Sequence, residues 1–342
     1  MSATSQPTTF EDLYTDLQNR VRVTTGISAT QTQAQRYINI SLQDIHVGTK
    51  YVFPWTERRA FLTTHAPYIT GTLSVSAGST ALVGSGTLWN TATVYNQNNM
   101  RVGSKITIAG GHDIYRVSTV VNDTSGTLET RYVASSDASG AAYINYEDEY
   151  ALAADFERPL DFQMFSTDWE LPLVNRSDFR RNHVRSNISG RPRMASILDL
   201  PSIGNTTPVR KVLLYPYPDQ VYVIPYAYVT ANLAVSATGT EQAGLVSATD
   251  EPIMPLRYRY AVVLHALEAW YRDKRDDARS QEVKVEYEQL MNRVISDHDM
   301  GTHNRVRIQP RAGLYRSYAA RPYTRRGGAR YSLNNRFDTF SE

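Results

Sequence analysis

The sequence predicts an α+β protein: a helical-hairpin body of N- and C-terminal helices, an inserted small antiparallel β-barrel or sandwich, and an extended C-terminal arm. Three observations predict it. Apolar residues recur every three or four positions at both ends of the chain, the spacing of one helix face. Between residues 66 and 150, short alternating runs are divided by Gly, Ser, Thr and Asn, the pattern of closely spaced strands. From Gly301 onward neither period persists, and arginine dominates. The division this implies is 1–65 with 151–300 as the body, 66–150 as the inserted β domain and 301–342 as the arm.

Taken in order, Thr8-Thr-Phe-Glu11 reads as a capping box, in which hydroxyl and carboxylate satisfy orphan amides at a helix start. Phe10, Leu13, Leu17 and Val21 continue as an apolar stripe to Gly26. Ser28-Ala-Thr-Gln31 is a second box, followed by Ala34, Ile38, Leu42 and Ile45 in a helix ending near Gly48. Tyr51 to Trp55 is an apolar connector or edge strand, because Pro54 cannot donate within a central ladder. In the β region, Thr70–Ser76 and Ala81–Val83 pair across a turn, and Lys105–Ile108 pairs with Asp113–Val120 around Gly110 and Gly111. Thr127–Tyr132 and Ala142–Tyr146 are further strands.

Residues 156–210, rich in Pro, Arg and Asn, show no period. Lys211–Tyr215 and Gln220–Val229 read as a strand–turn–strand unit about Pro216-Tyr-Pro-Asp219. A second helix pair spans Ile253 to Asp299, with Pro252 near the first turn, where a missing amide costs nothing. Its stripes are Leu256, Tyr260, Val263, Leu267 and Trp270, then Val283, Tyr287, Leu290, Val294 and His298. The charge run Arg272–Arg279 suits the connection between them.

The arm differs in kind. From Gly301 to Phe337 it holds nine arginines, no lysine and no acid. Asp338 and Glu342 bring it to +7, and since the chain totals +2, residues 1–300 sum to −5. Fixing a backbone costs about 1–2 kcal/mol per residue, and no local apolar pattern offsets that here. The arm therefore either lacks a fixed shape or takes one on a partner. Extended at about 3.3 Å per residue, it reaches well over ~100 Å.

Within 342 residues, an apolar fraction of 41% supports a sizeable core. Cysteine is absent, which excludes disulfides, thiolate metal sites and a cysteine nucleophile. Tyrosine outnumbers phenylalanine 23 to nine, a composition suited to interfaces. The opening Met1 to Pro7 has no basic or apolar region, so no secretory leader is expected. No run of 18 apolar residues exists, and no membrane span is expected.

Three stretches carry a resemblance: Phe10-Glu-Asp-Leu13 with Ala34 to Ile45; the unit Lys211 to Val229; and Asp250-Glu-Pro-Ile-Met-Pro255 with Tyr258, Tyr260 and Ala266 to Arg272. In that order they resemble a head-to-tail adaptor (connector or head-completion protein) of tailed bacteriophages. Thr70-Gly-Thr-Leu-Ser-Val75 with Gly84 to Trp89 also resembles a β module recurrent in phage virion proteins, and together these stretches cover about half the chain. No single motif is diagnostic. The resemblance implies a non-enzymatic virion protein, assembled in the host cytoplasm. It implies a homo-oligomeric ring, typically of twelve copies, lying between the portal protein and the tail or nozzle proteins. Double-stranded DNA passes through the lumen without sequence recognition, and the C-terminal segment docks on the portal.

On that reading the portal-docking residues are Arg305, Arg307, Arg311, Tyr315, Arg316, Tyr318, Arg321, Tyr323, Arg325, Arg326, Arg330, Tyr331, Arg336 and Phe337. Arginine without lysine favours planar bidentate bonds and stacking on tyrosine over phosphate neutralisation alone. DNA contact, or no defined role, are the other readings of the arm. Glu147-Asp-Glu149 could supply paired carboxylates for glycan hydrolysis, but an acidic strand end is usually solvent-facing. His112 with Asp113, and Asp297-His-Asp299 with His303, set no shared ligand face, so no metal site or cofactor is expected. The glycines near 84 and 110 lack the lysine of a phosphate loop and read as turns. The alternative function is a receptor- or glycan-binding tail protein, which exposed Trp89, Tyr95 and Tyr115 on one face would favour. A peptidoglycan-cleaving enzyme is a third reading.

Overall fold

The computed structural model describes residues 6–22, 28–47, 51–92, 98–108, 110–164, 169–182, 188–199 and 210–303. The chain divides into two compact units, Met1–Tyr287 and Glu288–Glu342. It is an α+β protein with a curled antiparallel sheet. No helix among the described residues is long and apolar enough to cross a membrane.

Helix α1 spans Phe10–Val21, and α2 spans Ser28–Val47. The capping box of α1 sits one residue later than expected: Thr9 is the cap and Asp12 its partner. Two overlapping boxes compete, and burial decides between them. With Thr9 as cap, Phe10, Leu13, Tyr14 and Leu17 face inward. The Asp12 carboxylate accepts from the amides of Thr8 and Thr9. Burial alone would raise its pKa, but these bonds hold it below the ordinary value. In α2 the buried row is Ala34, Ile38, Ser41, Leu42 and Ile45, and Gln31 donates to the Tyr14 hydroxyl of α1. Of the two readings of Tyr51 to Trp55, the connector holds: a 3₁₀ turn at Pro54–Thr56 leads into strand β1, Glu57–Thr63.

Seven strands form the curled half-barrel: β2 (Thr72–Val75), β3 (Ala81–Ser85), β4 (Lys105–Ile108), β5 (Tyr115–Asn122), β6 (Ser125–Leu128), β7 (Ala138–Ala141) and β8 (Tyr143–Tyr146). Their order is β7-β2-β3-β6-β5-β4-β8. The strand expected at Thr127–Tyr132 starts earlier, at Ser125, because Gly126 and Leu128 must face inward beside β3 and β5. The edge strands β7 and β8 are successive pieces of one bent strand, separated only by Ala142. Gly140 supplies a positive φ of 56° near that bend. Tyr68, ahead of β2, exchanges both backbone bonds with Asn145 of β8, at 2.8 and 3.0 Å, and draws the two edges together. Leu73, Leu82, Trp89, Met100, Ile106 and Val117 fill the interior. At Gly71, with φ of 82°, a Cβ would lie 2.6 Å from the Ser85 carbonyl, so this turn needs glycine.

Within 156–210, the stretch without a sequence period, the described residues include three strands and a short helix, and a further strand precedes it. β9 (Glu149–Ala151), β10 (Phe156–Met164) and β11 (Trp169–Glu170) precede a short helix α3 (Arg176–Asn182) and β12 (Met194–Asp199). Then come β13 (Arg210–Tyr215) and β14 (Val223–Thr230). The last two are not a hairpin, contrary to expectation. β13 lies between β12 and β9, whereas β14 lies between β1 and β10. Pro216 and Pro218 lack the amides a continuing ladder would use. The amide of Tyr217 donates to Ile188, and its carbonyl accepts from Gly190, which draws the turn away from a hairpin path. Leu62, Phe156, Phe162, Ile224, Tyr226 and Tyr228 of one sheet and Tyr150, Ala195, Val212 and Leu214 of the other belong to one buried cluster.

Short strands β15 (Ala234–Val235), β16 (Glu241–Gln242) and β17 (Glu251–Pro252) form a small sheet. Pro252 therefore ends a strand rather than opening a helix. Helix α4 starts later, at Tyr260–Asp273, after a 3₁₀ turn at Leu256–Tyr258. It packs on both α1 and α2. Two neighbours bury a broad face, Ala261, Val262, Val263, Leu264, Ala266, Leu267 and Trp270, rather than a single stripe. Each buried Leu or Val contributes about 1.5–3 kcal/mol. Helix α5, Asp277–His303, runs past Gly301, where the arm was expected to begin. Of its stripe in the first unit, Val283 and Tyr287 are half-buried, while Val285 faces solvent.

His46 near the end of α2 gives a testable electrostatic feature. Its Nδ1 lies 2.7 Å from the Leu42 carbonyl and its Nε2 accepts from the Trp55 indole at 3.1 Å, which places the proton on Nδ1. Burial lowers its pKa, against the raising effect of the Leu42 bond. A depressed folded pKa contributes stability that is present above the unfolded value, about 6.5, and lost as pH falls through the folded one. We expect the thermal midpoint to drop between pH 7.5 and 5.5, and to drop less in His46→Gln, measured by tryptophan fluorescence.

Candidate functional site

All fourteen arm residues assigned to docking, Arg305 to Phe337, lie outside the described residues, as does Tyr95. The motif that the structure does place is Asp250 to Pro255. It is a joint between the two ends of the folded chain. The Asp250 carboxylate accepts from the amides of Val246 and Ser247, at 2.8 and 2.7 Å, and from the Gln242 side chain. Burial would raise its pKa, but these donors outweigh burial and lower it. The loop so fixed turns its carbonyls outward: Asp250 accepts from the Phe10 amide at 2.8 Å and Ala248 from the Glu11 amide at 3.0 Å. Those are the orphan donors of the first turn of α1. From the other side, Asn39 of α2 donates to and accepts from the Leu245 backbone, both at 2.9 Å.

Arg259 completes the joint. Its guanidinium, in a side chain 10% exposed, pairs with Glu251 at 2.9 Å. It also donates to the carbonyls of Met254 and Pro252, at 3.0 and 3.1 Å, and to that of Thr8. A buried cation without partners costs several kcal/mol; here four acceptors from two distant stretches offset that cost. Sequence reading singled out the stretch but missed Arg259 and Asp250 as its working residues. The signal present was one arginine set between Tyr258 and Tyr260 at the head of an apolar helix.

A second polar cluster lies where the half-barrel meets β9. The acids expected at a solvent-facing strand end are instead ion-paired and largely covered. Glu147 holds Arg101 at 2.6 Å, Asp148 holds Lys105 at 2.6 Å, and Glu149 holds Arg116 at 3.1 Å. Burial raises the pKa of Glu147 and of Asp148, partly countered by Arg101 and Lys105 respectively. Each carboxylate is engaged with a cation, so the arrangement serves as a clamp rather than as an acid/base pair. The Asp148 carbonyl also accepts from Leu214 of β13, and Tyr146 stacks on Tyr217 at 4.1 Å.

Of the three rings whose exposure on one face would favour glycan binding, the two among the described residues are buried. Trp89 is fully buried, donating to Tyr143 at 2.9 Å, and Tyr115 is 5% exposed. Both rings are needed to fill a small barrel interior. His112 is exposed on a turn, and among the described residues no three His, Asp or Glu side chains form a metal-holding group. No protein-family model matches the chain, and no curated protein sequence matches it.

Two outcomes test these clusters. Arg259→Leu leaves backbone carbonyls unpaired and should destabilise by about 3–5 kcal/mol in urea melts. Lys105→Met strands the Asp148 carboxylate. A raised folded pKa gives stability that is present at low pH and lost as pH rises through it. The penalty should therefore be about 2–3 kcal/mol at pH 8, and smaller at pH 5.

Proposed function

We propose that this chain is a structural subunit of the neck of a tailed bacteriophage, forming a ring that joins the portal to the tail and lets double-stranded DNA pass. The arm Gly301 to Glu342 docks on the portal, and no chemistry is catalysed. The carrying observation is the charge division: nine arginines and +7 in the arm, against −5 over residues 1–300. An arm of that composition gains little from its own side chains and much from a partner rich in carboxylates and aromatic faces.

The folded part supports the reading in two ways. The stretch Asp250 to Pro255, which resembles the adaptor pattern, ties α1, α2 and α4 into one layer. The helical-hairpin body belongs to this proposal as that layer. The carboxylates most open to a catalytic reading, Glu147 to Glu149, are ion-paired.

A chain ending at His303 keeps α5 whole and removes the arm. It should retain the full-length circular dichroism spectrum and thermal midpoint, yet fail to co-sediment with portal rings. Electron microscopy of the full chain with portal should show a closed ring beneath it. An arm-less chain that attaches to portal as well as the full chain does would sink the strap.

A further inference from the structure

Two short connections join the half-barrel to the neighbouring sheets. On the way in, Thr64 is tied to the sheet side. Its amide donates to the Tyr222 carbonyl at 2.9 Å; its hydroxyl accepts from the Tyr222 amide at 2.8 Å and donates to the Gln220 carbonyl at 3.0 Å. Tyr68 is tied to the half-barrel through the Asn145 backbone. Between these two anchors lie residues 65–67. On the way out, the Asn145 side chain donates to the Ser104 hydroxyl at 2.7 Å, within the half-barrel, while Glu149 already pairs with Leu213 in the sheet of β9. Between these lie residues 146–148.

Apolar packing stops at this waist. The buried cluster of the half-barrel and that of the two sheets share no residue. Among the described residues, no strand of the half-barrel packs extensively on an element outside it. What spans the waist is charge. Glu149 of β9 holds Arg116 of β5 at 3.1 Å and lies 3.8 Å from Lys105 of β4. Asp148 takes Lys105 on its carboxylate at 2.6 Å and the Leu214 amide on its carbonyl at 2.8 Å. Tyr146 stacks on Tyr217 at the foot of the same connection, where a pivot leaves it in place. A shared apolar core would weld the two parts in proportion to the area buried. Ion pairs fix orientation more than they add net stability. Lys105 and Arg116 are 25% and 40% exposed, so each cation exchanges its carboxylate for water when the seam parts.

We propose that the half-barrel is a hinged lobe, turning about residues 65–67 and 146–148 and latched by Lys105 and Arg116 against Asp148 and Glu149. The latch involves no portal, tail protein or DNA, so it stands or falls apart from the neck reading.

The chain has no cysteine, so V83C/V223C introduces the only two thiols, at exposed positions of β3 in the half-barrel and of β14 in the adjoining sheet. Pulsed electron spin resonance of the spin-labelled full chain, diluted with unlabelled chain, reads the distance between them. With all four latch charges in place the distance distribution should be single and narrow. D148N/E149Q removes the acids and leaves two cations that reach water; K105Q/R116Q removes the cations. Both should broaden the distribution and add a second, resolved distance, with the near-ultraviolet circular dichroism of the aromatic cores unchanged. R20Q, which removes the Arg20–Asp16 pair on α1, should leave the distribution as it was. A D148N/E149Q chain with an unaltered distribution would overturn the latch. So would broadening in K105Q/R116Q alone, the mark of a stranded Asp148 rather than a shared latch. A broad distribution with all four charges present, or loss of the core signal in D148N/E149Q, would also overturn it.

Discussion

One buried guanidinium closes this fold. Arg259 stands where the last strand gives way to α4, and its acceptors come from Pro252 and Met254 on one side and from Thr8, ahead of α1, on the other. The chain between those points carries every strand among the described residues. Pinning its ends together makes entry and exit of that excursion a single rigid place. The Asp250 loop repeats the constraint at the backbone level, using helix-start amides that would otherwise need water. With α1 and α2 held by the loop and α4 packed on both, the apolar faces have one mutual arrangement, and Leu13, Leu17, Ile38 and Val263 are almost wholly buried in it.

The half-barrel is fastened by a different kind of bond. Glu147, Asp148 and Glu149 each meet a cation from the half-barrel, while the Asp148 carbonyl and the Tyr146 ring engage β13 and its turn. Charge pairing in a partly covered seam fixes orientation more than it adds net stability, since desolvation offsets much of the attraction. The seam therefore sets how the half-barrel stands on the two sheets next to it.

Local periods were legible in the sequence, and long-range choices were not. The α1 and α2 stripes follow from spacing alone, because a helix face is written within a dozen residues. The cap of α1 was off by one because Thr8 and Thr9 both begin a box, and the deciding acceptors lie some 240 residues away, at Ala248 and Asp250. β13 and β14 looked like a hairpin because proximity in sequence is the only pairing cue a single sequence offers; their partners β9, β12, β1 and β10 come from elsewhere. Glu147 to Glu149 looked solvated because Arg101, Lys105 and Arg116 are more than 30 positions earlier. Whether Trp89 and Tyr115 were exposed was not legible, because a barrel interior and a binding face draw on the same residue types. Of the candidate site, the stretch Asp250 to Pro255 stood out by its resemblance, but its hydrogen-bond roles required the fold.

The bent strand of β7 and β8 has a consequence for crowding. An open sheet edge offers a row of unpaired amides and carbonyls to any chain alongside. In the half-barrel, β8 is flanked by β4 and Tyr68, and β7 by β2, so the unflanked backbone shrinks to one side of a four-residue segment. A chain laid alongside finds little backbone there to pair with. Strand addition has more room at β1, a seven-residue edge whose Glu57, Arg58 and Arg59 discourage it.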